Sequence, residues 1–254
     1  NKTISANGAF TFTTPIASGA TYAVTVFTQP SGPTQTCAVT AGSGTVTTAI
    51  VTNVSIACTT SSFTIGGTVS GLAGTGLVLQ NNGGNNLAVL ANGAFTFGTP
   101  IANGSQFNVT FLNQPTNPSQ ICTVLNGSGT LGTANVTNVA VTCVTSTFTI
   151  GGNVTGLSGA GLVLQNNLGN NLTVSANGAF VFTTPVASNV AYSVSVFAQP
   201  ATPSQICTVT SGSGTVTSAN ITTVAVNCVT STFTVGGTVT GLTGTTGLVL
   251  RNNG

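Results

Sequence analysis

The motif Ala-Asn-Gly-Ala-Phe starts at Ala6, Ala91 and Ala176, and Phe-Thr-Ile/Val-Gly-Gly starts at Phe63, Phe148 and Phe233, so both recur every 85 residues. The cysteines keep the same step, as Cys37 and Cys58, Cys122 and Cys143, Cys207 and Cys228. A fixed period of this kind means one structural unit used several times. The chain is three turns of that unit, and whatever it folds into must be built from copies.

Each unit reads as short strands. Leu77-Val78-Leu79 is an apolar run opened by Gly76 and closed by Asn81-Asn82-Gly83-Gly84, the pattern of a buried strand and a turn. Leu172–Ala176, then Asn177-Gly178, then Ala179–Phe182 reads as a hairpin, because Asn-Gly tolerates the positive φ that a type I′ turn needs at both central residues. Alternating runs follow at 22–27, 106–111 and 192–197, each ended by a proline, Pro30, Pro115 or Pro200. Ile121-Cys-Thr-Val, a Gly-Ser-Gly turn and Val139–Cys143 supply two more strands. About seven strands per unit are expected, as in an Ig-type sandwich. Abundant Thr and Val suit a pleated surface and lose χ1 freedom on a helix, so the expected fold class is all-β, a tandem array of Ig-like or prealbumin-like β-sandwiches.

The phase of the repeat divides the chain unevenly. Asn1-Lys2-Thr3-Ile4 aligns with Asn86-Leu87-Ala88-Val89, and Leu248-Val249-Leu250-Arg251-Asn252-Asn253-Gly254 aligns with Leu77–Gly83. Residues 1–62 are therefore expected to form an incomplete sandwich lacking its first two strands. Residues 63–147 and 148–232 are complete repeats, and 233–254 carries the first two strands of a further one. Two readings follow: a slice of a longer tandem array, or separate copies joined head to tail as the end strands of one complete the next. The subunit junction would then be Asn1, Lys2, Thr3 and Ile4 against Leu248, Val249, Leu250, Arg251 and Gly254. With no Met at residue 1, the chain is expected to be processed or cut from something longer.

Composition removes most chemistry. There are 2 Lys+Arg, no Asp or Glu and no His in 254 residues. General acid–base catalysis, carboxylate cages for Ca²⁺ and His-based zinc sites need those side chains, so no enzyme, no catalytic residue and no metal site is expected. Two cations supply no electrostatic footprint for nucleic acid. No apolar run reaches the length of a membrane-spanning helix. The two charges, Lys2 and Arg251, align with Leu87 and Gln80, which places both at the junction.

The order Gly-Gly-Thr-Val-Ser/Thr-Gly-Leu, Gly-Leu-Val-Leu-Gln-Asn-Asn, Ala-Asn-Gly-Ala-Phe-Thr-Phe and Tyr-Ala-Val-Thr-Val resembles carboxypeptidase-regulatory-like, prealbumin-type and Cna protein B-type sandwiches. The Cys-Thr-Val…Gly-Ser-Gly-Thr…Val-Ala-Val-x-Cys segment is similar to tandem repeats of large bacterial surface proteins. That resemblance implies a structural or adhesive stalk on a bacterial cell surface, without activity. Cna-type modules often carry a Lys–Asn isopeptide helped by a carboxylate; this chain has no carboxylate, so none is carried over.

Paired cysteines at one spacing in three copies point to one disulfide per unit in an oxidising compartment, with connectivity open between units. Asn-x-Ser/Thr sequons at Asn53, Asn108, Asn135, Asn153 and Asn220 offer sites for glycans. Ca²⁺ would require Asp in place of Asn within 81–86 or 166–171. Together these features lead to the expectation of an extracellular filament subunit whose partner is itself, a head-to-tail homopolymer. The alternative is an adhesin stalk, or a spacer or binding module of a larger secreted protein.

Overall fold

The computed structural model describes residues 1–244 and 246–253. It is all-β, with no helix among the described residues. Residues 1–62 contain four short strands: β1 (Thr21–Ala23), β2 (Gln35–Thr40), β3 (Ser43–Thr45) and β4 (Ser55–Thr60). The next repeat has ten: β5 (Ser62–Phe63), β6 (Ile65–Ser70), β7 (Leu77–Asn81), β8 (Asn85–Val89), β9 (Gly93–Thr96), β10 (Ile101–Ala102), β11 (Gln106–Asn113), β12 (Gln120–Leu125), β13 (Ser128–Thr130) and β14 (Val136–Thr145). The same ten recur as β15 (Thr147–Phe148), β16 (Ile150–Thr155), β17 (Leu162–Asn166), β18 (Asn170–Val174), β19 (Gly178–Val181), β20 (Val186–Ala187), β21 (Ala191–Ala198), β22 (Gln205–Thr210), β23 (Ser213–Thr215) and β24 (Ile221–Thr230).

Eight strands of the second repeat form two four-stranded sheets, in the orders β13-β11-β7-β8 and β12-β14-β6-β9. Their inward residues meet in one core that includes Ile65, Leu77, Leu79, Phe97, Val109, Val139 and Val141. The third repeat has the sheets β18-β17-β21-β23 and β19-β16-β24-β22 around the equivalent core of Ile150, Leu162, Leu164, Phe182, Val194, Val224 and Val226. Period-2 alternation decides which side chains enter. In β11, Phe107 and Val109 are buried while Asn108 and Thr110 face out. The Gly-Ser-Gly stretch read as a turn is itself a short strand, β13, paired with β11.

The chain divides into two compact units, Asn1–Thr147 with Ala187–Asn189, and Phe148–Val186 with the residues from Val190 onward. Within the first unit, Asn103 ties the first two repeats together. Its N–H donates to the Ser61 carbonyl at 2.8 Å, and its Oδ1 accepts the Thr34 N–H at 2.8 Å.

The structure overturns the hairpin expected at Asn-Gly. The strands flanking Asn92-Gly93 lie in different sheets: β8 pairs with β7, and β9 pairs with β6. Only the glycine has positive φ, 125° at Gly93 and 121° at Gly178, so no type I′ turn forms. The asparagine has another task. Asn92 Oδ1 accepts the Leu72 N–H at 2.7 Å and its Nδ2 donates to the Leu72 carbonyl at 2.8 Å. The same two bonds join Asn177 to Leu157. The hairpin lies instead between β7 and β8, where Asn82 and Gly83 take φ of 53° and 71°.

β6 runs parallel to β14, with Gly67 level with Val139. A Cβ on Gly67 would overlap the Val139 carbonyl, and one on Gly152 would overlap that of Val224. This close backbone approach explains the second glycine of Gly66-Gly67 and of Gly151-Gly152.

Candidate assembly surface

All six cysteines are paired, each within its own repeat: Cys37–Cys58, Cys122–Cys143 and Cys207–Cys228. Partners face each other directly across an antiparallel ladder, for example Cys122 and Cys143 between β12 and β14. Each bond closes a sequence separation of 21 residues with the Cα atoms 3.9 Å apart. A glutamine braces every one. Gln29, Gln114 and Gln199 each accept the N–H of Cys37, Cys122 or Cys207 at 2.7–2.8 Å and donate to the same residue's carbonyl at 3.1–3.2 Å.

Residues 1–62 keep this half of the unit. β2 and β4 pair from Gln35↔Thr60 to Thr40↔Ser55, the register of β12 with β14. Phe10 and Phe12 meet edge to face with centroids 5.9 Å apart, as do Phe95 and Phe97. Yet the two sheets are reduced to the pairs β1-β3 and β2-β4. β1 reaches only Tyr22 and Ala23 of the alternating run at 22–27, since the ladder that β7 gives β11 has no counterpart beside it.

The side chains that should enter a core are consequently open. Phe12 is 45% exposed where Phe97 and Phe182 are fully buried, and Ile56 is 38% exposed where Val141 and Val226 are at 1%. Asn1, Lys2, Phe12, Ile16, Tyr22 and Val24 line an open groove on this face.

The segment from Phe233 to Asn253 shows the complementary condition. No strand forms there among the described residues. Val235 is 85% exposed where Ile65 and Ile150 are buried outright, and Leu250 is 75% exposed where Leu79 and Leu164 are at 0%. Val239, Leu242 and Leu248 are likewise exposed, each aligned with a core residue of the complete repeats.

Among the residues expected at a junction, Asn1, Lys2, Thr3, Ile4, Leu248, Val249, Leu250 and Arg251 are all exposed and outside any strand. Gly254 falls outside the described residues. Lys2 and Asn1 belong to the groove of residues 1–62. The sequence reading missed two polar side chains of this surface. In the complete repeats Gln120 and Gln205 are 2% exposed and bind a loop that connects β6 to β7, or β16 to β17. Gln120 Oε1 accepts the Ala73 and Gly74 N–H groups at 2.9 and 2.8 Å, while its Nε2 donates to the Gly71 carbonyl at 2.8 Å. Among the described residues, the side-chain amide of their counterpart Gln35 bonds Thr60 Oγ1 alone, at 3.0 Å. Asn7, the counterpart of Asn92 and Asn177, makes no side-chain hydrogen bond among the described residues. A hint was present in the sequence, since Gln35, Gln120 and Gln205 recur at the 85-residue step.

The arrangement offers an open groove of mixed polar and apolar lining, open strand edges and the amide side chains of Gln35 and Asn7, a surface suited to binding an extended polypeptide. No protein-family model matches the chain, and no curated protein matches it significantly.

Proposed function

We propose that these repeats are β-sandwich modules of an extracellular structural filament, built as a tandem array and joined end to end by strand complementation or by continuity of the chain. The observation that carries this reading is the repetition: the second and third repeats each fold into the same pair of four-stranded sheets around a core of their own, with a disulfide of their own. Residues 1–62 expose Phe12 and Ile56, and Val235, Leu242 and Leu250 are exposed nearer the other end. Burying one Val or Leu side chain fully is worth about 1.5–3 kcal/mol, so both surfaces gain by being covered. Left open, such edges and faces are sites of association.

The proposed role is mechanical. Each complete core resists unfolding, and each disulfide ties the last long strand of a repeat, such as β14, to its neighbour β12. Disulfides suit an oxidising, extracellular-type environment. The near absence of charge removes repulsion between neighbouring subunits, and the lack of Asp, Glu and His favours a scaffold over an enzyme. The bacterial cell surface is the setting that the sequence resemblance suggests.

Negative-stain electron microscopy of the purified 254-residue polypeptide tests the proposal. Uniform filaments of constant width are expected. Discrete monomers at every concentration examined would refute it.

A further inference from the structure

We propose that in each complete repeat the parallel ladder between the first long strand and the last is a shear clamp that carries load along the filament, and that the disulfide sets how far a repeat lengthens once the clamp yields. The inference deepens the mechanical role proposed above and rests on that reading. Its geometry comes from the second and third repeats alone.

In the second repeat, tension along the chain enters at Thr64, just ahead of β6, and leaves at Thr145, the end of β14. These two strands are neighbours in one sheet and run parallel, from Val136↔Ile65 to Thr142↔Ser70. A pull on the repeat therefore drags β6 toward its N-terminal end and β14 toward its C-terminal end, in opposite directions along a shared ladder. Because ladder bonds run from strand to strand, they lie across the pull and are loaded together. Had the same two strands been antiparallel, both pulls would act at one end of the ladder and peel it a bond at a time. Along its other edge β6 is held by β9, from Gly66↔Thr96 to Val69↔Gly93. The third repeat copies this arrangement, with β16 parallel to β24 from Ile150↔Ile221 to Thr155↔Asn227 and β19 on the far edge.

The ladder is tied where load arrives. Asn135 Oδ1 accepts the Thr64 N–H at 2.9 Å, and the Val136 N–H donates to the Thr64 carbonyl at 3.0 Å. Asn220 and Ile221 hold Thr149 in the same way, at 3.0 and 2.9 Å. At the far end Ser70 Oγ donates to the Val141 carbonyl and Thr155 Oγ1 to that of Val226, each at 3.4 Å. Ahead of the clamp in the second repeat, β5 is joined to β10 by two residue pairs only, so Thr64 takes the load early.

The disulfide stands on the other side of β14. Cys143, close to the end of that strand, is bonded to Cys122 on β12, so β14 cannot slide off β12 and the ladder with β6 is the one that yields. Once β6 is stripped, the chain unravels from its N-terminal side as far as Cys122, where tension crosses the sulfur bridge to Cys143. The sequence separation of 21 that the bond spans stays out of the load path. At about 3.3–3.6 Å for each extended residue, the bridge withholds about 70 Å of length from the repeat. Cys207 and Cys228 place the same stop in the third repeat.

Constant-force extension of the full chain, held by handles fused to its two ends, tests the proposal. Two long steps are expected, each shorter by about 70 Å than release of a whole 85-residue repeat. With Cys207→Ala and Cys228→Ala together, one of the two steps should lengthen by that amount. Moving the C-terminal handle to Ser218, through a clickable unnatural side chain, tests direction without weakening the fold. Ser218 is exposed and lies just ahead of β24, at the same end of the ladder as Thr149, so the third repeat is then peeled and should open about tenfold faster or more at the same force. Asn135→Ala with Asn220→Ala removes the first tie of both clamps and should speed both steps about fivefold. The control is Asn81→Leu with Asn166→Leu. Both side chains are 2% exposed and accept the Asn108 and Ser193 N–H groups, at 3.2 and 3.1 Å, in the sheet opposite the clamp. This pair should lower the urea midpoint yet leave the forced steps within about twofold of wild type. Equal opening rates from Ser218 and from the C-terminus, or a control pair that speeds the steps as much as the Asn135 and Asn220 pair does, would overturn the clamp. Release of the whole repeat by the disulfide-bonded wild type would overturn the stop. Neither result bears on filament formation, which electron microscopy reads separately.

Discussion

Gln205→Leu is the most direct test of what holds the third repeat closed. Gln205 is 2% exposed, and its amide oxygen accepts the Ser158 N–H at 2.9 Å and the Gly159 N–H at 2.7 Å. Its Nε2 donates to the Gly156 carbonyl at 2.8 Å and to Thr230 Oγ1 at 3.2 Å. Leucine is close in volume, so little cavity is created and the loss is mainly polar. Thr230 is exposed and turns its hydroxyl to water. Three backbone groups of the loop 156–159 then lose their partner, one of them fully buried. At about 1–3 kcal/mol for each unsatisfied group, discounted for the two that are only partly buried, the cost is about 3–5 kcal/mol. With a urea m-value near 1 kcal/mol/M for a small domain, the midpoint should fall by about 3 M or more.

The chain contains its own reporter for this measurement. It has two tyrosines and no tryptophan, and Tyr192 is buried in the core of the third repeat. In a Tyr22→Phe background, which copies Phe107 at the equivalent position, tyrosine fluorescence follows the third repeat alone. Gln205→Leu should shift that transition, whereas Gln120→Leu should leave it in place and lower only the circular dichroism transition of the second repeat. A shift in Gln205→Leu smaller than about 0.5 M would refute the reasoning, because the loop groups would then not depend on the amide.

Two further outcomes follow from the covalent and charge structure. Replacing both Cys207 and Cys228 by Ala removes a crosslink spanning 21 residues and should destabilise the third repeat by about 3 kcal/mol, read as a lowered urea midpoint of Tyr192 fluorescence; an unchanged midpoint would refute it. With no Asp, Glu or His in the chain, no side chain gains or loses charge between about pH 3 and pH 7. The urea midpoint at pH 3 should therefore match that at pH 7, and a marked loss of stability on acidification, beyond what a single terminal carboxyl accounts for, would refute the charge argument.

The sequence by itself determined the period, the strand content and the spacing of the cysteines. These are local or counting properties: alternation in 106–111 fixes which side chains of β11 turn inward whatever β11 pairs with. It also located the two charges and the interrupted unit, because alignment of the chain with itself needs no coordinates. Partnership was not legible. The Asn177-Gly178 dipeptide carries the signature of a tight hairpin, yet β18 and β19 enter different sheets, since an extended run specifies a pleated surface and says nothing of the neighbour it will find. The same holds for the cysteines, whose pairing within one repeat is set by the direct opposition of β22 and β24. Gln35, Gln120 and Gln205 look alike in sequence, and only the tertiary structure separates two filled amide clamps from one that still has donors and acceptors to spare. The physical reason is distance along the chain: Gln120 and Gln205 bind backbone groups 46–49 residues before them, and the equivalent partner of Gln35 is not among residues 1–62.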